Sequence, residues 1–153
     1  MLSTKDKMQV AINEMYKADK KLEVPVGACI FKNDKLIAKA HNKKEGKQNA
    51  LLHAEIIAIN KACKRLKSWR LDECEMYVTL EPCPMCAGAI ISARLNKLFI
   101  GARDEKFGAV LSNYQICTDN RIAKPVETFM MDDCEKEIKD CLKNFFKKLR
   151  NKK

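Results

Sequence analysis

The spacing of apolar and polar positions divides the chain into helical and extended segments. Residues 3–20 place Met8, Ala11, Ile12, Met15 and Ala18 at helical spacing, with Ser3 or Thr4 positioned as a cap. Val24 to Phe31 reads as a strand, with Pro25 at its beginning or on an exposed edge. Asn33-Asp34 suits a two-residue hairpin turn, which leads to an antiparallel partner strand, Leu36 to Ala40. Residues 43–50 are polar and loop-like. From His53 to Leu66 the pattern is helical again: Ile56, Ile59, Cys63 and Leu66 form one face, widened by Ile57 and Ala58. Glu75 to Leu80 reads as a strand, Cys83 to Arg94 as a buried helix, and Lys97 to Gly101 as a strand. A parallel, right-handed crossover follows from that order. Residues 102–124 carry no clear period. Val126 to Met130 reads as a last strand, and Asp132 to about Arg150 as a basic amphipathic helix. Strands alternating with helices predict a sheet covered on both faces.

The totals narrow the possibilities. A length of 153 residues, 46% of them apolar, fits one domain over residues 1–153 with a single hydrophobic core. No apolar run approaches the ~20 residues of a membrane span. Residues Met1 to Lys7 lead into no signal-like apolar core, so a cytoplasmic protein is expected. Eight cysteines at irregular spacing, with ample core and no export signal, argue against a disulfide scaffold. Only Cys83 and Cys86 have ligand spacing. Cys29, Cys63, Cys74, Cys117, Cys134 and Cys141 read as small buried apolar residues. The net charge of +10 fits either a polyanionic partner, nucleic acid above all, or a solvated surface. Lys147, Lys148, Arg150, Lys152 and Lys153 make the tail a phosphate-contacting end or a solvated terminus.

His53-Ala54-Glu55 is followed 27 residues later by Pro82-Cys83-Pro84-Met85-Cys86. Cys83 and Cys86 share a helix face, and Pro84 suits the first turn, where its missing N–H costs nothing. The positive end of a helix favours thiolates. Two thiolates and one imidazole give three zinc ligands and leave the fourth position to water, the mark of a catalytic zinc. Glu55, at the start of the same helix as His53, is placed to take a proton from that water and pass it to substrate. A lone Cys-x-x-Cys or a lone helical histidine more often belongs to the core. Joined, they make the established zinc-deaminase signature, H-x-E followed by P-C-x-x-C.

At these residues the chain resembles the bacterial tRNA-specific adenosine deaminases of the cytidine-deaminase-like superfamily. The resemblance rests on EVPVGA (23–28), HAEIIAI (53–59), SWRLDECEMYVTLEPCPMCAGAI (68–90), GARDEK (101–106) and FFKKLR (145–150). It implies an α/β fold of three layers, α/β/α, around a mixed five-stranded sheet. It also implies one zinc per chain, and a homodimer with active sites near the interface. By position, Asn42 matches an asparagine that hydrogen-bonds the target nucleoside. Ala54 matches a residue whose backbone faces the base, and Val24, Pro25 and Val26 match the apolar wall beside it. Asp104 and Lys106 match a loop along the RNA strand. Phe145, Phe146 and Arg150 match elements that meet the tRNA anticodon loop; two phenylalanines on an amphipathic helix more often face a core.

Three segments depart from the family. Asn49-Ala50-Leu51-Leu52 stands where Asp-Pro-Thr-Ala is usual. Leu111 stands at a usual glycine, which removes access to positive φ. Ala123-Lys124-Pro125 stands where Asn-His and a basic residue are frequent. None touches the zinc ligands or Glu55. The expected reaction is hydrolytic conversion of adenosine to inosine, with the tRNA wobble position as the leading target. The alternative is the same chemistry on a free nucleobase or nucleoside of guanine, adenosine or cytidine type. A zinc-stabilised RNA-binding module without activity is a third reading, and Glu55 argues against it.

Overall fold

The computed structural model describes residues 1–122 and 124–152; Ala123 of the third departure and the terminal Lys153 lie outside the described residues. Five helices and five strands follow one another as α1 (Thr4–Lys20), β1 (Gly27–Lys32), β2 (Lys35–His41), α2 (Lys44–Lys47), α3 (Ala54–Leu66), β3 (Cys74–Leu80), α4 (Pro84–Ser92), β4 (Lys97–Ala102), β5 (Glu127–Met130) and α5 (Glu135–Asn151). Short 3-10 turns lie at Ile116–Thr118 and Asp132–Cys134. Among the described residues no helix is long and apolar enough to cross a membrane.

The sheet order is β2-β1-β3-β4-β5. β1 pairs antiparallel with both β2 and β3, while β3, β4 and β5 run parallel. This is the mixed five-stranded sheet expected. Alternate side chains go to opposite faces. Ala28, Ile30, Met76, Val78, Leu98 and Ile100 pack with α3 and α4. Cys29, Phe31, Tyr77 and Phe99 pack with α1 and α5 on the other face. On that face Tyr77 stacks on Phe99 at 4.4 Å between ring centroids, and Phe99 on Phe129 at 4.7 Å. These rings tie three neighbouring strands together. α1 closes over β1 so tightly that a β-carbon on Gly27 would overlap the Ala11 carbonyl.

Local chemistry accounts for the element ends. Ser3 and Asp6 form a reciprocal capping box on α1. Asn33, with φ of 56°, makes the β1–β2 turn. β1 starts at Gly27 rather than Val24. Pro25 has no N–H, and the Val26 N–H turns back to the Val24 carbonyl at 2.8 Å, which leaves Val24 to Val26 free to line a wall.

Two further expectations change. The polar segment 43–50 holds a helical turn, α2, because the buried Glu23 carboxylate accepts the Glu45 and Gly46 N–H groups at 2.9 and 2.7 Å. On α3 the deepest stripe is Ala54, Ala58 and Ala62, flanked by Ile57 and Ile59, while Ile56, Cys63 and Leu66 are half-buried. Alanines at i, i+4 and i+8 let the helix lie close to β1 and β2. All eight cysteines are free thiols; Cys29, Cys74, Cys117 and Cys141 are buried, Cys63 and Cys134 half-buried.

Candidate active site and metal centre

A cavity of about 360 Å³ opens where the sheet meets the ends of its helices. The C-terminal ends of β2, β3 and β4 contribute Asn42, Leu80 with Glu81, and Asp104. Val24 and Val26 contribute from the segment before β1, and Phe107 from the loop after β4. Open α/β sheets bind ligands at such strand ends. His53, Glu55 and Cys83 form the floor.

Two helices begin at this floor. His53 is the N-cap of α3, and Cys83 is the N-cap of α4 with Pro84 in its first turn. The positive ends of both helices therefore converge on the thiols and on Glu55. His53 Nδ1 lies 3.7 Å from Cys83 Sγ and 3.5 Å from Cys86 Sγ. The three ligand atoms lie within 4.8 Å of one another. A tetrahedral ion with N and S bonds of ~2.05 and ~2.3 Å separates its N and S ligands by ~3.6 Å. The two observed separations fit that requirement, and the donor set suits a borderline-soft divalent metal. The Cys86 and His53 side chains beside it bring the Cys83 thiol down to about 4, while the neighbouring Cys83 and burial push the Cys86 thiol above the ordinary range. A metal held by both sulfurs would require the Cys86 thiol to give up its proton.

Glu55 is 3% exposed, in the first turn of α3. Burial pushes its carboxyl up to about 7. The charge of an ion held by His53 and the cysteines opposes that shift. The carboxyl lines the cavity beside His53 and Cys83, where it can accept a proton and return it.

Asn42 is buried at the end of β2, and its Oδ1 accepts the Ala54 N–H at 2.7 Å. The Ala54 N–H is therefore engaged within the protein, and Ala54 is fully buried behind the floor. Pro25 is buried beside the wall formed by Val24 and Val26 and does not line the cavity. Asp104 lines the cavity, and its carboxylate accepts the Lys106 and Phe107 N–H groups at 3.1 Å. Lys106 lies outside, its ammonium 5.3 Å from the Phe107 ring centroid. Phe145 is a correction: at 1% exposure it is a core residue, so its ring cannot meet a ligand. Its neighbour Phe146 is 43% exposed, and Arg150 is exposed on the same helix.

Two carboxylates that sequence reasoning passed over organise the cavity rim. Glu23 holds α2. Glu81 is 2% exposed and accepts the N–H groups of Asp104, Val110, Leu111 and Ser112 at 2.7–3.1 Å, and the Ser112 hydroxyl at 2.5 Å. These bonds fold the loop that showed no period. Leu111 supplies an N–H to Glu81 and does not take a positive φ, so the loop needs no glycine there. Gly108 packs against Glu81, where a β-carbon would overlap the carboxylate. The sequence carries no distinctive signal for either: Glu23, before Val24-Pro25, and Glu81, before Pro82, read as ordinary charged residues.

Comparison with known proteins places this geometry. Residues 2–150 match the MafB19-like deaminase family. A tRNA-specific adenosine deaminase of Bacillus subtilis (strain 168) is 42% identical over 95% of this chain and 90% of its own length. A structure from a study of A-to-I editing at the wobble position of transfer RNA superposes with a TM-score of 0.86 at 35% identity, covering 90% of this chain and 99% of that one. The guanine deaminase of Bacillus subtilis superposes with a TM-score of 0.65 at 35% identity, over 67% of this chain and 66% of that one. With His53, Cys83 and Cys86 grouped where they could hold a metal, a buried glutamate beside them and relatives matched over nearly the whole length, the chain belongs to the MafB19-like deaminases and to the tRNA-specific adenosine deaminase family.

Proposed function

We propose that this protein is a zinc-dependent hydrolase that converts adenosine to inosine at the wobble position of a tRNA. The observation that carries the reading is Glu55, buried two positions after His53 and beside a three-ligand metal set with room for a fourth partner. A structural metal site has no use for that carboxyl. The near full-length relationship to tRNA-specific adenosine deaminases supports the choice of substrate.

His53, Cys83 and Cys86 would hold one zinc per chain, and the zinc would supply Lewis acidity that activates water at neutral pH. Glu55 takes a proton from the attacking water as its oxygen bonds to C6 of a flipped-out adenine. It delivers that proton to the ring nitrogen N1. Glu55 then passes the second proton of the water to the amine, the C6–N bond breaks, and ammonia leaves. Asn42, fixed through its oxygen by Ala54, offers its side-chain N–H₂ to the nucleoside. Val24 and Val26 give the base an apolar wall that excludes water. Asp104 sets the loop that carries Phe107 to the rim. Phe146 and Arg150 are the exposed groups of α5 left to meet an anticodon loop.

The similarity to a guanine deaminase favours a second reading, hydrolysis of a free nucleobase in the same cavity. Ammonia release separates the two. The substrates are an anticodon stem-loop with adenosine at the wobble position, free adenosine, guanine and cytidine. Turnover of the stem-loop above all three small molecules is the expected result; preferred turnover of a free base would establish the second reading. The eight free thiols suit a reducing cytoplasm. The homodimer implied by the family resemblance is read out by light scattering.

A further inference from the structure

Lysines gather on one flank of the cavity, on three different elements. Lys17 and Lys21 stand at the end of α1, Lys39 and Lys43 on and just after the edge strand β2, and Lys61 on α3. The Lys61 ammonium reaches across to donate to the Lys39 carbonyl at 2.9 Å. Lys21 Nζ lies 3.4 Å from His41 Nε2, and the other ring nitrogen of His41 lies 3.1 Å from Glu14 Oε1. Lys17 Nζ sits 2.7 Å from Glu14 Oε2, off hydrogen-bond geometry. Glu14 is the carboxylate amid this group, and it is buried and already taken up by His41 and Lys17. Among the described residues Lys21, Lys39, Lys43 and Lys61 form no ion pair, whereas Lys136, Lys139 and Lys148 of α5 each do. Partial burial, with Lys43, Lys39 and Lys17 close by, pulls the Lys61 ammonium below its ordinary value.

Like charges held together with too few counter-charges cost free energy, which a polyanion recovers. Lysines on an edge strand also deter pairing between sheets. That role accounts for Lys39 but not for Lys17, Lys21 and Lys61, which come from helices. The group adjoins the cavity directly: Asn42 and Lys44 are cavity residues beside Lys43, and Glu23 and Val24 follow Lys21 by two and three positions. The Lys148–Asp19 ion pair at 2.9 Å fastens the basic end of α5 to the same end of α1.

We infer that Lys17, Lys21, Lys39, Lys43 and Lys61 form a track for the RNA phosphodiester backbone flanking the nucleotide in the cavity. This rests on the RNA reading above and adds a surface to it, away from the C-terminal helix. The track contacts phosphates, so it adds affinity without reading sequence.

The test is the salt dependence of affinity for the anticodon stem-loop RNA. Each lost phosphate contact lowers the slope of log affinity against log salt by ~0.7–0.9. K39E/K61E is expected to lower the slope by ~1.4–1.8, and K39Q/K61Q to do the same with less perturbation of the fold. K32E/K35E carries the same charge change at the far end of the β1–β2 hairpin and is expected to leave the slope in place. Zinc content and melting temperature report whether each variant is folded. An unchanged slope in folded K39Q/K61Q, with the RNA still bound and edited, would overturn the track and leave the function standing. An equal loss in K32E/K35E would reduce the effect to net charge and overturn it as well. Failure of the unaltered protein to bind or edit the RNA would overturn the function, and the track with it.

Discussion

The Asn42 side-chain oxygen accepts the Ala54 N–H at 2.7 Å, which ties the end of β2 to the first turn of α3 between His53 and Glu55. One atom of the amide is thereby committed to the fold and the other is left for a ligand. Asn42→Asp keeps the acceptor and loses the N–H₂ donor. It should retain the melting temperature while raising KM on the stem-loop by tenfold or more. Asn42→Ala also strands the buried Ala54 N–H, at a cost of ~1–3 kcal/mol, so melting temperature and activity should fall together. An unchanged KM in Asn42→Asp, beside a destabilised Asn42→Ala, would assign Asn42 a purely structural role.

Metal analysis of the purified protein should give one zinc per chain, and Cys86→Ala should lose most of it. Chelation of the unaltered protein should lower its melting temperature, because an ion bound only to the folded state stabilises that state. Full zinc occupancy in Cys86→Ala would remove Cys86 from the ligand set.

Glu55→Gln should keep zinc and fold but lose turnover. One general acid/base step is worth about 10²–10⁴ in rate, and Glu55 serves more than one. The loss should fall on kcat rather than KM. A variant with most of its kcat intact would exclude Glu55 as the proton carrier.

Glu81 should make the 104–112 loop sensitive to acid. Although its burial alone would raise the carboxyl pKa, the Ser112 hydroxyl and the N–H groups of Leu111, Ser112 and Asp104 together hold it below the usual carboxylate range. A carboxylate depressed on folding stabilises fully above its unfolded value, ~4.3, and loses that contribution as pH falls through the folded value. Amide hydrogen exchange at Leu111 and Ser112 should therefore accelerate, relative to the sheet, on going below about pH 4. Glu81→Gln should show the accelerated pattern already at neutral pH. Identical exchange in the two proteins would mean that something else holds the loop.

Phe145 and Phe146 are neighbours with opposite expected phenotypes. Phe145→Ala empties a core position and should cost ~3–5 kcal/mol of stability. Phe146→Ala should leave stability nearly unchanged and weaken stem-loop binding; stacking of a base on an aromatic ring is worth ~1–3 kcal/mol. Unchanged binding in Phe146→Ala would take that ring out of the RNA contact.

The His53-Cys83-Cys86 cluster and Glu55 were legible because each half of the motif is local, Cys83 with Cys86 and His53 with Glu55, and the H-x-E and P-C-x-x-C signature joins halves that lie 30 positions apart. Three residues along a helix, or two across a helix start, fix geometry without knowledge of the rest of the fold. The strands were legible by composition, as short apolar runs, because the sheet is covered on both faces. The rim was not legible. Glu23 and Glu81 read as ordinary charged residues, and the groups they hold are backbone amides 22–31 positions away, which no side-chain pattern records. The α3 face was misjudged because its isoleucines outweigh its alanines in hydrophobicity, while close approach to the sheet selects for small size.

Glu23 and Glu81 line the same cavity as His53, Glu55 and Cys83, and each suspends one rim of it. What reacts and what fits are thus carried by separate parts of the chain. A descendant could lengthen, shorten or rewrite either loop and keep the proton chemistry whole, provided the new loop still presents amides to the same carboxylate. Drift from a nucleotide displayed on an RNA loop to a loose heterocycle, or the reverse, would then require only new rims on an old floor.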